Sequence, residues 1–278
     1  MAIGGKPPRG PVRLGSCRAE CHALVSLSAS PWSFVSKIIP TLRASLFVLG
    51  LWISLLLYLP IMLVLRLLPV HRRHRILSGW NWMAVHWLRI TCGVRWTVEG
   101  EMPEGGGVII ANHQSTWETF FLPLIVNGPV FVLKRELMRV PIFGLGLSLG
   151  HPIAIDRSAG REALKQLLQQ GSERLAEGRW VVVFPEGTRS AVGEPVKYKP
   201  GGAMLATRNG ARVVLVAHNA GCFWPRGSLI KRPGVITFRI GPVIETAGRG
   251  AAEVNAEAEA WTQAQLATMP CPARRTES

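Results

Sequence analysis

Apolar positions divide this chain into two parts with different rhythms. From Ala44 to Leu65 there are 22 residues without a charge, bracketed by Arg43 and Arg66. As a helix that run is roughly 33 Å long at about 1.5 Å per residue, enough to cross a hydrocarbon core. In the stretch from Ile76 to Gly93, Ile76, Trp80, Met83, Trp87 and Ile90 recur at helical spacing, with His86 and Arg89 off the stripe. That pattern predicts an interfacial helix rather than a second span. Beyond Glu99 the apolar runs shorten to Val108–Ala111, Val130–Leu133, Pro152–Ile155, Trp180–Phe184, Val213–Val216 and Val235–Ile240, all read as strands. Between them Gly160–Glu177 predicts a helix carrying Leu164, Leu167, Leu168 and Leu175 on one face. Gly201–Arg208 predicts a shorter helix ended by Asn209-Gly210, and Ala251–Thr268 a surface helix. Short apolar strands alternating with helices predict an α/β body with a mostly buried sheet. At 278 residues the chain has room for one such domain and an appendage.

Charge sharpens the division. The net charge of +15 is concentrated at the front: residues 22–98 hold eight Lys or Arg and no Asp or Glu. Six of the ten tryptophans, Trp32, Trp52, Trp80, Trp82, Trp87 and Trp96, lie in or beside the same region, as headgroup-level anchors do. Basic charge interleaved with lipid-compatible sequence points to a membrane and away from nucleic acid. A cleaved signal peptide fits poorly, because the run starts late and is followed by Arg66 and Arg72-Arg73. Both flanks are basic and Pro60 permits a re-entrant path, so spanning and re-entrant topologies both stand. Residues 1–35, rich in Gly, Pro, Ser and Arg, read as a disordered basic arm. The five cysteines, Cys17, Cys21, Cys92, Cys222 and Cys271, are odd in number and scattered, which predicts unpaired thiols. No metal site is expected from them.

Two segments carry candidate chemistry. Asn112-His113-Gln114-Ser115-Thr116-Trp117-Glu118 follows one predicted strand, and Phe184-Pro185-Glu186-Gly187-Thr188-Arg189-Ser190 closes another. Ser115 followed three residues on by Glu118 fits a helix-start capping pattern, which alone would explain the glutamate. Mid-helix, residues five apart diverge by about 140° and cannot share a face. At a helix entrance the histidine sits on a turn, and the carboxylate can reach back to it. His113 then becomes a base with Glu118 as its orienter, and the glycine turn with Arg189 becomes an anion clamp.

The Phe184–Ser190 segment resembles the third block of the glycerolipid acyltransferases of the bacterial 1-acylglycerol-3-phosphate type. Asn112–Glu118 resembles their His-x4-Asp block, with Glu in place of Asp. Lys134-Arg135-Glu136-Leu137-Met138-Arg139-Val140-Pro141-Ile142-Phe143-Gly144 is similar to the second block, and Ile155-Asp156-Arg157 to the strand end after it. Lys199–Ala203 and Val213–His218 look like later blocks. The resemblance covers about residues 93–244. It implies a mixed sheet flanked by helices, preceded by a membrane-embedded helical segment. It also implies acyl transfer from acyl-CoA or acyl-carrier protein to the sn-2 hydroxyl of lysophosphatidic acid at a cytoplasm-facing inner membrane. His113 and Glu118 would be catalytic, while Glu186, Gly187, Thr188 and Arg189 would hold the substrate phosphate. Lys134 and Arg139 would add charge at the acceptor or donor site, or lie on the surface. No cofactor or metal is needed. A different lyso-lipid acceptor, such as a lyso-aminolipid, and a non-catalytic membrane scaffold are the alternatives. The expected organisation is an arm (1–35), a membrane-anchoring region (36–98), a catalytic domain (99–250) and a C-terminal helix and tail (251–278).

Overall fold

The computed structural model describes residues 31–194 and 196–272. It opens on helix α1 (Pro31–Leu65) and helix α2 (Val70–Cys92). Residues 31–35, expected in the arm, are the first turns of α1. Residues 1–30, including Cys17 and Cys21, lie outside the described residues. The apolar span in α1 runs Ile38–Leu65, and only 11% of its most apolar window is buried. Pro60 leaves the helix continuous. Ala44, Phe47, Leu55, Met62 and Leu65, three to eight residues apart, form the buried stripe, while Leu46, Leu49, Ile53, Leu56 and Leu57 face outward. Against the stripe, α2 packs closely because Gly50 has no side chain: a Cβ there would stand 2.2 Å from Trp87 Nε1. Trp80 Nε1 also donates to Ser54 Oγ at 3.2 Å.

The residues that α2 turns inward are not those of the apolar stripe expected at the membrane interface. Ile76 and Ile90 are exposed, whereas His74, Ala84, Val85, Leu88 and Cys92 are buried. The helix is wedged between α1 and the body, so the face with small Ala84 turns inward and the larger residues flank it.

Seven strands follow from Gly93 onward, in the order β1-β7-β6-β2-β5-β3-β4. They are β1 (Val94–Glu99), β2 (Gly107–Ala111), β3 (Val130–Lys134), β4 (Ile153–Ile155), β5 (Trp180–Val183), β6 (Val213–His218) and β7 (Gly234–Ile244). β7 is antiparallel to β6 and parallel to β1; the other neighbours are all parallel. This is the expected mixed sheet flanked by helices, with one addition. β1 carries the sheet upstream of the boundary expected at Glu99, paired from Val94↔Gly234 to Glu99↔Arg239. Six helices complete the body: α3 (Trp117–Ile125), α4 (Phe143–Leu149), α5 (Arg161–Ala176), α6 (Gly201–Arg208), α7 (Ala220–Phe223) and α8 (Ala251–Thr268).

Alternation along the strands builds two cores, because successive side chains point to opposite faces. Ile109, Val182, Val214 and Phe238 join Trp117, Phe121, Leu88 and Phe47 on one face. Val108, Ile110, Val181 and Leu215 join Leu167, Leu205 and Val254 on the other. Val-rich strands buried on both faces are the usual composition of a covered parallel sheet. The expectation of unpaired thiols fails at one pair, since Cys222 and Cys271 are joined by a disulfide with Cα atoms 5.5 Å apart. The cysteines are 49 residues apart, and their meeting comes from the path of the chain after α8, which local spacing does not signal. Cys92 is free and buried.

Candidate active site

Carboxyl ends of parallel strands collect functional residues because the loops beyond them converge there. His113 lies two residues beyond β2, Glu186 three beyond β5, His218 ends β6 and Lys134 ends β3. Glu118 stands in the first turn of α3, and the chain between His113 and that turn folds tightly around its carboxylate. Oε1 accepts from His113 Nδ1 at 2.8 Å, from Gln114 N at 3.1 Å and from Ser115 N at 2.9 Å. Nδ1 therefore carries the ring proton, leaving Nε2 with the lone pair. Phe184 stacks on the ring with centroids 4.2 Å apart. Nε2 has no hydrogen-bond partner among the described residues.

Glu118 is fully buried. Burial opposes its charge. His218, the His113 hydrogen bond and the Ser115 N–H outweigh that burial and hold its pKa below the ordinary carboxylate value. His218 Nε2 lies 3.8 Å from Oε1. Its Nδ1 accepts from Ala220 N and its Nε2 donates to Asn112 O at 2.9 Å, which assigns the tautomer. Asn112 returns the contact, donating from Nδ2 to His218 O and accepting at Oδ1 from His218 N, both at 2.9 Å. Burial pushes the His218 pKa down, against the pull of the Glu118 carboxylate. The lock fixes the end of β6 against the loop that holds His113. No role had been expected for His218, and a lone histidine ending a strand gives no local signal of one.

The residues expected to hold phosphate separate. Glu186 is buried and accepts from the His113 backbone N–H at 3.0 Å. Burial pushes its carboxyl up. Its visible work is to position the histidine loop. Gly187 turns at φ 73, where a Cβ would meet Lys199 Nζ at 2.8 Å. Thr188 and Arg189 line a cavity of about 540 Å³ together with His113, Arg157 and Arg226. Arg189 Nη1 donates to Thr116 Oγ1 at 2.9 Å, and Arg226 Nη1 donates to Arg189 O at 2.9 Å. Arg157 donates to Gly187 O, and burial lowers its pKa. None of these three arginines has an ion-pair partner among the described residues, so the loop presents uncompensated positive charge. Lys134 lines the same cavity but is half-exposed and paired with Glu136 at 3.1 Å. Arg139 is exposed and lines no described cavity.

From His113 the cavity runs beside β3 toward its amino end, where His74, Pro129 and Gly150 line it. The wall between is apolar, with Phe120, Phe131, Leu147 and, from α1, Leu55 and Met62. His74 is buried there, with Nε2 2.7 Å from Arg179 Nη2. Its pKa is lowered to about 4, first by burial and then by the Arg179, His151 and Arg73 charges.

A ring nitrogen with a free lone pair, at one end of an apolar cavity and beside unpaired arginines, can deprotonate a hydroxyl while lipid chains lie alongside. The class this fold and site define is the O-acyltransferases. Residues 94–219 match the family model described as Acyltransferase. A 1-acyl-sn-glycerol-3-phosphate acyltransferase of Pseudomonas aeruginosa is 46% identical over 207 residues, covering 72% of this chain and 80% of that protein. A lyso-ornithine lipid O-acyltransferase of Rhizobium meliloti is 33% identical over 139 residues, 47% of this chain and 46% of that one. Among solved structures, the 1-acyl-sn-glycerophosphate acyltransferase PlsC of Thermotoga maritima superposes with a TM-score of 0.70 at 21% identity, covering 84% of this chain and 96% of that one. The chain belongs to the acyltransferase family, and it is an enzyme of that class.

Proposed function

We propose that the protein transfers a fatty acyl group from an acyl thioester to the sn-2 hydroxyl of 1-acyl-glycerol-3-phosphate, giving phosphatidic acid for phospholipid synthesis. The observation that carries this reading is the His113–Glu118 pair, 2.8 Å apart, facing the apolar cavity with Arg157, Arg189 and Arg226 around it. His113 Nε2 takes the hydroxyl proton as the oxygen attacks the thioester carbonyl. Glu118 stabilises the imidazolium that forms, in the manner of a triad carboxylate. Collapse of the tetrahedral intermediate expels the thiolate, which takes the proton back. The arginines hold the acceptor phosphate, for which a planar guanidinium is well matched. Neither a metal nor a cofactor enters this chemistry. The 46% identity to a protein named for this reaction, with 80% of its length covered, supports the choice of acceptor.

The proposed location is the inner membrane with the active site facing the cytoplasm, held by α1 and the basic N-terminal third. From Ala44 to Leu65 α1 lies along the catalytic body, which favours embedding in the plane of the membrane over a perpendicular crossing. Purified protein in vesicles, offered a panel of lyso-lipids with labelled acyl-CoA and acyl-carrier protein, tests the reaction. Lysophosphatidate should be the preferred acceptor. A preference for lyso-ornithine lipid or a neutral lysophospholipid would replace the acceptor and keep the chemistry.

A further inference from the structure

Directly behind the histidine loop lies a second pocket of about 370 Å³, lined by Gln114, Ser190, Arg226, Ser228, Arg232 and the Cys222–Cys271 disulfide, among others. It shares Arg226 with the main cavity. Gln114 lines the second pocket beside the Glu118 cluster. Its backbone N–H belongs to the Glu118 cluster, while its side chain enters the second pocket. That side chain is 5% exposed, and Oε1 has no donor among the described residues. A buried carbonyl oxygen left without a donor is destabilising, so a ligand N–H is the natural partner. Its position is held from behind, since a Cβ on Gly221 would approach Gln114 Cβ to 2.8 Å. The far wall is basic: the Arg232 side chain has no partner among the described residues, and its backbone N–H donates to Phe223 O at 2.7 Å. Ser190 N donates to His113 O at 2.8 Å, which ties this wall directly to the residue that carries the base.

A thioester donor has to pass the histidine with its two halves in different surroundings. The acyl chain needs the apolar cavity, and the other half is a string of amides ending in a phosphate. We propose that the second pocket receives the phosphopantetheine arm of the donor, with Gln114 Oε1 accepting from an amide N–H and Arg232 facing the phosphate. The assignment rests on the acyltransferase reading above. It separates the two phosphates: the acceptor's at Arg157 and Arg189, the donor's at Arg232. Arg226, on both walls, faces each.

Coenzyme A and acyl-carrier protein share this arm, so both donors test the pocket. Arg232→Gln in the full-length protein in vesicles should raise the donor KM about tenfold with palmitoyl-CoA and with palmitoyl-carrier protein, as loss of one charge-assisted contact does. The acceptor KM should stay within about twofold of wild type. Free 4′-phosphopantetheine should inhibit wild type competitively against donor and inhibit Arg232→Gln more weakly, whereas pantetheine, which lacks the phosphate, should not distinguish them. Gln114→Met, which removes Oε1 and keeps the length, should raise the donor KM in the same way. Arg232 is exposed, so its variant decides the matter even if Gln114→Met does not fold. An unchanged donor KM, or a raised acceptor KM in its place, overturns the assignment. A rise confined to palmitoyl-CoA also overturns it, by placing the nucleotide rather than the pantetheine phosphate at Arg232. Wild type serves as the control: failure to acylate lysophosphatidate with either donor refutes the proposed function, whereas normal turnover with an unmoved donor KM refutes only this pocket.

Discussion

Glu118 holds His113 with the same oxygen that closes the entrance of α3. Its Oε1 receives the imidazole Nδ1–H and the backbone N–H groups of Gln114 and Ser115. Capping and catalytic support are therefore not competing explanations of this carboxylate. One atom makes the contacts that both require, and the backbone turn it fixes is what brings a histidine five residues away within reach.

Glu118→Gln separates the two jobs. An amide oxygen can still accept all three hydrogen bonds, but it cannot neutralise a developing imidazolium. We expect kcat to fall at least roughly tenfold, with a modest loss of stability and with Asp partly restoring activity. Glu118→Ala should also destabilise, by about 1–3 kcal/mol for each backbone N–H left buried without an acceptor. Near-wild-type kcat in Glu118→Gln would leave His113 acting without its carboxylate.

Removing the base itself is the harsher test. His113→Ala should lose about 10²–10⁴-fold in kcat. Its melting temperature should also fall, because the fully buried Glu118 carboxylate loses the imidazole donor. Residual turnover above about a tenth of wild type would mean that another group takes the hydroxyl proton.

Arg189→Lys keeps the charge and loses both the planar fork and the tie to Thr116 Oγ1. The acceptor KM should rise by the equivalent of about 1–3 kcal/mol, with the donor KM little changed. Initial-rate kinetics varying each substrate separately would show it, and a rise confined to the donor would reassign the residue.

His74 makes acid stability measurable at the far end of the cavity. Its pKa falls from 6.5 to about 4 on folding, so the folded state favours the neutral ring. The contribution is complete above pH 6.5 and is lost as pH falls toward 4, an effect of up to about 3 kcal/mol. His74→Asn cannot titrate, and its amide oxygen can still accept from Arg179. Melting temperatures between about pH 4 and 7 should fall more steeply in wild type than in the variant. Parallel curves would reject the assignment.

Membrane attachment should survive both high salt and alkaline carbonate. The outward row of Leu46, Leu49, Ile53, Leu56 and Leu57 demands an apolar surrounding that salt does not compete for. Release by either treatment would reduce the attachment to the electrostatics of the basic N-terminal third.

Much of this molecule was legible because its strands are buried on both faces and so appear as unbroken Val and Ile runs. α6 and α8 fell on the expected residues for a related reason: each has a clear compositional edge. β1 was not legible. It is an edge strand in which only Val94 is buried, so Arg95, Trp96 and Thr97 show no apolar run. The His113–Glu118 pair was visible as a spacing, but its supports were not. His218 reaches Asn112 across 106 residues of chain, and Arg226 reaches Arg189 across 37. Contacts of that kind depend on how β6 lies beside β2, which no local pattern encodes. Glu186 had the right block and a different visible task, because the turn at Gly187 directs its carboxylate toward the backbone of His113.

Helix α1 is a partition one helix thick: Leu55 and Met62 face the cavity while Leu56, Leu57 and Ile61 face outward. If the proposed function and membrane embedding hold, a lyso-lipid acceptor is expected to reach the cavity by lateral diffusion, without passing through water. Its effective concentration is a mole fraction in a two-dimensional phase. Adding inert phospholipid at fixed acceptor and enzyme should slow turnover, even though nothing in the aqueous volume has changed.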